Sequence, residues 1–184
     1  MTDTLTLADR YAELRATPSD IYLHLPRLVA LAELLNAQHV IELGSRSGVS
    51  TVAWLYALER TGGHLTTVDL DEAPGIETWG HWRHIQGNDQ DPDVLAALEP
   101  ADIVFLDTSH HYLDTVIELN LYRWLVNPGG VMCGHDSELA WPEGASRADG
   151  PYPVKRAVKE FAAENGYPVM FYEDCFGLWV AKGW

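Results

Sequence analysis

Apolar and polar positions along the chain switch between two periods, and the switches lay out its elements. A short helix is predicted around Leu7–Leu14. Apolar residues then recur at Ile21, Leu25, Leu28, Val29, Ala32 and Leu35, which predicts a helix from Ile21 to Asn36 started by Pro18-Ser19-Asp20. Val40-Ile41-Glu42-Leu43 reads as a short buried strand, and Gly44 and Gly48 bracket a tight turn after it. Ser47, Ser50 and Thr51 can cap the next helix, which runs through Trp54–Leu58 and ends at Thr61-Gly62-Gly63. Strands follow at His64–Leu70 and from Trp82 toward Asn88, with Asp71–Gly80 as loop or short helix between them. Asp91-Pro92-Asp93 starts a helix through Leu98 that Pro100 stops.

Ile103–Asp107 is almost wholly apolar until its terminal acid, the pattern of a strand covered on both faces. A helix over Tyr112–Leu125, a turn at Asn127-Pro128-Gly129-Gly130 and a strand over Val131–Asp136 come next. Ser137–Pro153, with three prolines, is the one long irregular segment. A helix over Val154–Asn165 closes at Gly166, and two last strands, Pro168–Tyr172 and Phe176–Lys182, join through a tight turn at Glu173-Asp174-Cys175. Strand–helix alternation of this kind predicts an α/β fold. The expected architecture is Rossmann-like and doubly wound, a mostly parallel seven-stranded sheet with an antiparallel edge hairpin in three α/β/α layers. One domain is expected over residues 1–184, with a helical lead-in over 1–36 and the core over 38–182. The lead-in reads equally as a loose tail or as a lid over a ligand.

Composition narrows the function. A chain of 184 residues that is 47% hydrophobic and 21% charged can bury a sizeable core. Its formal net charge of −15 repels phosphate backbones, so no nucleic-acid partner is expected. No stretch approaches a membrane span, and Met1-Thr2-Asp3-Thr4 has no signal-peptide character, so no membrane partner is expected either. Cys133 and Cys175, both in apolar strand-like runs, suit reduced thiols in a cytoplasmic protein.

The polar residues gather at strand ends. In a doubly wound sheet, ligands sit beyond the carboxyl ends of the strands. Those ends carry Glu42-Leu43-Gly44, Asp69-Leu70-Asp71, Gly87-Asn88-Asp89, Asp107-Thr108-Ser109-His110-His111 and Gly134-His135-Asp136. Carboxylates and imidazoles converging on one edge are costly unless ligand, metal or water satisfies them. The Gly44–Gly48 turn lacks the Lys-Ser/Thr of a Walker loop and the full dinucleotide fingerprint. Asp69, however, follows Gly48 by 21 residues, the spacing at which such folds offer an acid to ribose hydroxyls.

These residues resemble the class I S-adenosylmethionine-dependent methyltransferases over roughly residues 38–182. Val40-Ile41-Glu42-Leu43-Gly44-Ser45-Arg46-Ser47-Gly48 matches that family's first motif, which implies that Glu42, Gly44, Ser45 and Gly48 face the amino-acid end of S-adenosyl-L-methionine. By the same resemblance Asp69 and Leu70 hold the ribose, and Asn88 and Asp89 lie at the adenine. Phe105-Leu106-Asp107-Thr108-Ser109-His110-His111-Tyr112, then Glu118, Asn127-Pro128-Gly129-Gly130 and His135-Asp136, is similar to the small-molecule and sugar O-methyltransferase branch, grouped with cephalosporin hydroxylase-like and macrolide sugar methyltransferases. In several members of that branch the acids at the Asp107 and Asp136 positions bind Mg²⁺; the resemblance also implies that Asp107 borders the cofactor and that the His at the His110 position lies close enough to be a base. Ser137 stands where catechol-type relatives have Asn, and His135 where the macrolide branch has an acid. With His135 as a third ligand, Mg²⁺, Mn²⁺ or another transition ion, or no metal, stay as alternatives.

The expected activity is methyl transfer to a hydroxyl of a small molecule or sugar, with His110 and Asp107 catalytic. Such a displacement needs positioning and removal of the hydroxyl proton. The bland alternatives are a capping or surface role for His110 and water-mediated or capping roles for Asp107 and Asp136. His111 is expected to be solvated, and His64, His81 and His84 share no ligand spacing. Trp79, Trp82 and Trp179 fit packing roles, and Trp141 sits where a segment could close over an acceptor. The competing function is a catalytically silent S-adenosylmethionine binder acting as a regulatory or assembly partner. A hydrolase is disfavoured by the absence of a G-x-S-x-G elbow. A short domain can borrow a neighbour to close its site, which keeps a homodimer open.

Overall fold

The computed structural model describes residues 5–76, 81–144 and 146–182. Seven strands form one sheet: β1 (His39–Leu43), β2 (His64–Asp69), β3 (Trp82–Gln86), β4 (Ala101–Leu106), β5 (Val126–His135), β6 (Val169–Tyr172) and β7 (Leu178–Lys182). Their order is β3-β2-β1-β4-β5-β7-β6. β1 to β5 run parallel, while β7 lies antiparallel to both β5 and β6. The expected mixed sheet is therefore present, and its order reverses between β1 and β4.

Alternation along each strand sends side chains to two separate cores. Val40, Ile103, Phe105, Val131 and Cys133 pack with α1 (Leu7–Ala16), α2 (Leu25–Leu35) and α3 (Val49–Thr61). Ile41, Leu43, Val104, Leu106 and Met132 pack on the other face with α4 (Pro92–Ala96), α5 (Tyr112–Tyr122) and α6 (Pro153–Asn165). Because both faces are covered, the central strands read as continuous apolar runs. On the first face the Trp54 ring meets Phe105 edge-on at 5.5 Å. α1 is fixed at its start by a Thr6–Asp9 capping box and docks on α3 through a Tyr11–Tyr56 stack at 4.2 Å.

Several boundaries differ from the expected ones for local reasons. The helix expected from Ile21 begins at Leu25 instead, after a turn over 21–24. Pro26 occupies its first turn; deeper in a helix its ring would clash with the carbonyl four residues back. α3 has no side-chain cap: Gly48, at φ 82°, is its N-cap, and the Ser50 and Thr51 hydroxyls donate to Glu42. α4 stops at Ala96 rather than Leu98. Asn127-Pro128-Gly129-Gly130 lies within β5 as an irregularity against β4, where the register shifts between Ala101 and Ile103. β7 starts at Leu178, so Phe176 belongs to the turn, and Cys175 lies in that turn and not in a strand. Trp79 lies outside the described residues. Among the described residues, no helix is long and apolar enough to cross a membrane.

Candidate active site

The carboxyl ends of β1, β2, β4 and β5 meet along the edge where the strand order reverses. Gly44 makes this possible. Its φ is 84°, and a Cβ there would stand 2.0 Å from the Asp107 carbonyl oxygen, so only glycine lets the loops after β1 and β4 touch. Backbone bonds from Gly44 to Val68 (2.8 Å) and from Asp107 to Leu43 (2.9 Å) hold the three ends in register.

The turn after β1 wraps around Asp69. The Asp69 carboxylate accepts from the backbone N–H of Ser45 (2.7 Å) and Arg46 (2.8 Å) on one oxygen and from Asp71 (3.0 Å) on the other, and Ser45 Oγ adds a fourth donor at 3.1 Å. Burial works against the charged form, yet these donors hold the carboxyl below its ordinary range. Glu42 lies behind the turn, fully buried, with Ser50 Oγ and Thr51 Oγ1 each donating at 2.7 Å. Burial pushes its carboxyl up to about 8 in spite of the two hydroxyls.

Two clefts open on this edge. One, of about 450 Å³, runs along Asp69, Leu70, Asp71, Asn88, Asp89 and Glu118. The other, of about 420 Å³, is bounded by Asp20, Ile21, Ser45, Ser47, Leu139 and Phe176. Gly44, Arg46, Asp107 and Thr108 line both, so the clefts adjoin beside Asp107. At the inner end of the first, Glu118 is buried, accepts from Thr108 Oγ1 at 2.7 Å, and is pushed up to about 8 by burial and by its neighbour Asp89.

In the second cleft, beside that junction, Asp107, His110 and Asp136 each bring one ligand atom into a group spanning no more than 4.8 Å. His110 Nε2 lies 2.8 Å from Asp136 and 3.5 Å from Asp107. Burial would lower this imidazole, but the two carboxylates outweigh it and push it up to about 9. His135 sits behind them. Its Nδ1 faces Asp136 at 3.1 Å and Asp107 at 3.8 Å, and its Nε2 donates to the Cys175 carbonyl at 2.8 Å. With acceptors at both nitrogens the ring is held as a cation, pushed up to about 11 although burial opposes this. The same two imidazoles hold Asp136 far below the usual carboxylate range, against its own burial.

Asp69, Leu70, Asn88, Asp89 and Asp107 thus line the first cleft, and Gly44, Ser45, Asp107, His110 and Asp136 the second. Glu42, Gly48 and His135 line neither, and His110 takes the third place in the donor group where the sequence suggested His135. His111, partly exposed, lies outside both clefts, and Trp141 is exposed beyond them. Asp20, Ile21, Leu139 and Phe176 are additions that pattern reading did not supply. Ile21 looked like helix core and Phe176 like a strand residue. The signal for Phe176 was Asp174 and Gly177, which stand at the first and fourth places of a four-residue turn.

The chain resembles known proteins in both sequence and shape. A family model described as a methyltransferase domain matches residues 41–137. A relative from Mycolicibacterium vanbaalenii, provisionally named an O-methyltransferase, is 29% identical over 154 residues, which is 75% of this chain. The chain spans 65% of that relative's length. Among solved structures, MycE from the mycinamycin biosynthetic pathway, in complex with Mg, S-adenosylhomocysteine and mycinamycin VI, superposes with a TM-score of 0.72 at 17% identity, covering 98% of this chain and 55% of MycE. The O-methyltransferase TomG of Streptomyces achromogenes, in complex with S-adenosylmethionine, gives 0.65 at 17% identity, covering 98% and 90%. An O-methyltransferase of Bacillus cereus bound to S-adenosylhomocysteine gives 0.63 at 17% identity, covering 98% and 91%. At such identities the shared property is the fold.

Proposed function

The chain belongs to the methyltransferase domain family, with the class I S-adenosylmethionine-dependent fold, and from that premise we propose that it transfers a methyl group to a hydroxyl of a small molecule or sugar. The observation that carries this reading is that the Asp107–His110–Asp136 group lines one of two adjoining clefts and shares Asp107 with the other. One cleft fits the nucleoside, and the other fits the amino-acid end of the cofactor, beside Ser45 and Ser47, together with the acceptor. In this reading Asp69 takes the ribose hydroxyls: its Oδ1 accepts one backbone N–H and keeps room for a second donor. Asn88 and Asp89 border the adenine, and the Gly44–Ser47 turn borders the amino-acid end. When bound, S-adenosylmethionine supplies an electrophilic methyl on a sulfonium sulfur.

The residues on the acceptor side then have separate tasks. Asp107 and Asp136 orient the acceptor hydroxyl in line with the methyl, a positioning effect able to supply a large share of the rate. His110 receives the hydroxyl proton on Nε2. In the ion-paired state that nitrogen already carries a proton, so its base form requires the two carboxylates to find their counter-charge elsewhere. The Asp107 and Asp136 carboxylates beside it would suit a divalent ion of the Mg²⁺ or Mn²⁺ kind, which would make the hydroxyl more acidic and leave His110 Nε2 outside the ligand set as the base. The His base and the metal therefore belong together. Unpaired Cys133 and Cys175 suit a reducing cytoplasm.

Calorimetric titration with S-adenosylhomocysteine tests the cofactor half, and a screen of hydroxylated acceptors with and without a chelator tests the rest. Micromolar-range binding that weakens in Asp69→Ala is expected. His110→Ala should keep that binding and lose turnover by about 10²-fold or more. Undiminished turnover would remove His110 as base, and absence of binding in the unsubstituted protein would remove the reading.

A further inference from the structure

The turn between β6 and β7 carries a conformation that its sequence does not favour. Cys175 and Phe176 have φ of 44° and 58°, and Gly177 follows at 88°. Gly177 N–H closes the turn on the Asp174 carbonyl at 2.8 Å. Two successive central residues at positive φ are the mark of hairpin turns that usually take Asn-Gly. Here a thiol and a benzyl side chain occupy those places. Residues forced into such angles persist only where their surroundings over-determine them, and they cluster at functional sites.

The surroundings do over-determine this turn, because other elements bond its first three carbonyls. His24 Nε2 donates to Asp174 O at 2.7 Å, His135 Nε2 to Cys175 O at 2.8 Å, and Glu138 N to Phe176 O at 2.7 Å. Arg27 adds a two-pronged pair to the Asp174 carboxylate at 3.1 and 3.0 Å. At Gly177 a Cβ would stand 2.3 Å from Ser137 Oγ, so the turn is seated tightly on the chain just past Asp136. Thus α2, β5 and the segment after β5 all fix one turn, and His135 ties it directly to the Asp136 carboxylate.

What this turn delivers is the Phe176 ring. It is 49% exposed, an unusual place for a benzyl group, and it lines the same cleft as Asp107, His110 and Asp136. Ile21 and Leu139 extend the apolar wall of that cleft. We propose that Phe176 is the specificity-determining residue for the acceptor, selecting one whose hydroxyl is carried on a flat apolar ring over one whose hydroxyl is carried on a polyhydroxylated sugar ring. This rests on the reading of Asp107, His110 and Asp136 as the methyl-transfer site. A ring laid on Phe176 gains both apolar burial and aromatic contact, and a fully hydroxylated body gains less of either. Phe176 lies outside the cleft that contains Asp69 and Asp89, so it does not touch the nucleoside side of the site.

The test compares two vicinal diols, catechol and methyl α-D-mannopyranoside, on the protein saturated with S-adenosylhomocysteine for binding and with S-adenosylmethionine for turnover, both with Mg²⁺. The key variant is Phe176→Asn, because Asn accepts positive φ and removes the ring. It should raise the melting temperature and still bind S-adenosylhomocysteine, so that acceptor affinity is read on the saturated protein. It should also weaken catechol, in Kd and in KM, by about tenfold, with the mannoside changed less than twofold. Phe176→Tyr should restore catechol. Unchanged catechol binding in Phe176→Asn, or equal losses for both diols, would overturn the proposal. So would an unsubstituted protein that binds S-adenosylhomocysteine but methylates neither diol or only the mannoside; in those cases the methyltransferase reading stands. Failure to bind S-adenosylhomocysteine would overturn both.

Discussion

His110 Nε2 stands 2.8 Å from the Asp136 carboxylate, and both residues hold left-handed backbone angles, φ 61° and 59°. Left-handed angles cost a non-glycine residue about 1–2 kcal/mol each. Two of them at successive strand ends aim the imidazole and the carboxylate at one point.

Asp136→Asn should therefore be read out at the histidines first. Burial alone lowers the His110 imidazole, and Asp107 and Asp136 raise it to about 9 from an ordinary 6.5. Removing one carboxylate removes part of the raising influence, so His110 should titrate at lower pH in the variant. A group raised in this way stabilises the fold fully below 6.5, and that contribution is lost as pH rises through about 9. Asp136→Asn should thus destabilise the protein most between pH 3.8 and 6.5, less above as the two histidines lose their protons, and less below as Asp136 takes one up. Histidine ring NMR and melting curves follow the two effects; an unmoved His110 titration would contradict the pairing.

Gly44→Ala should be among the most damaging substitutions on the ligand edge. The new methyl would meet the Asp107 carbonyl at 2.0 Å, and φ 84° strains any side chain. The loops after β1 and β4 must separate, which pulls Asp107 away from the turn that Asp69 holds. Expected are a loss of several kcal/mol of stability and at least tenfold weaker S-adenosylhomocysteine binding, read by denaturant unfolding and calorimetry. A variant with ordinary stability and affinity would show that this close approach is dispensable.

Glu42 predicts a slope of stability with pH. Its carboxyl, ordinarily at 4.5, is raised to about 8 by burial, with the Ser50 and Thr51 hydroxyls partly offsetting this. Between those values the folded chain keeps a proton that the unfolded chain has released. Stability falls as pH rises across that window and then levels off. Glu42→Gln has no proton to lose, so its melting temperature should gain on the parent protein from pH 5 to pH 8, by on the order of a few kcal/mol in stability. A difference between the two that stays constant over the window would mean that Glu42 stays ionised within the fold.

Much of the sheet was legible in the sequence because its strands are covered on both faces. Runs such as Ile103–Leu106 have no other stable place, and their order of appearance sets the alternation with helices. The acids at strand ends were legible for the same reason: they are the polar exceptions to apolar runs. Features set by contacts distant in sequence were not legible. Nothing near Ser50 and Thr51 says that their hydroxyls serve Glu42 rather than the helix end. Nothing in Cys175-Phe176 announces positive φ, because the bonds that enforce it come from His24, His135 and Glu138. Ile21 reached the cleft because Pro26 delays the start of α2, a backbone effect that hydrophobic periodicity does not register.

One strand of the sheet runs backwards, and this divides the molecule's capacity to diversify. β7 pairs with β5 in the opposite sense, so the turn that precedes it emerges beside the ends of the parallel strands. The glycine turn and Asp69 belong to β1 and β2, while Phe176 belongs to a hairpin on the far side of β5. On the proposed reading, changes in the length or residues of that hairpin re-shape the acceptor side without touching the strand ends where Asp69 and Asp89 stand. Acceptor preference would then be adjustable through a handful of positions between β6 and β7 while the β1 and β2 ends stay as they are.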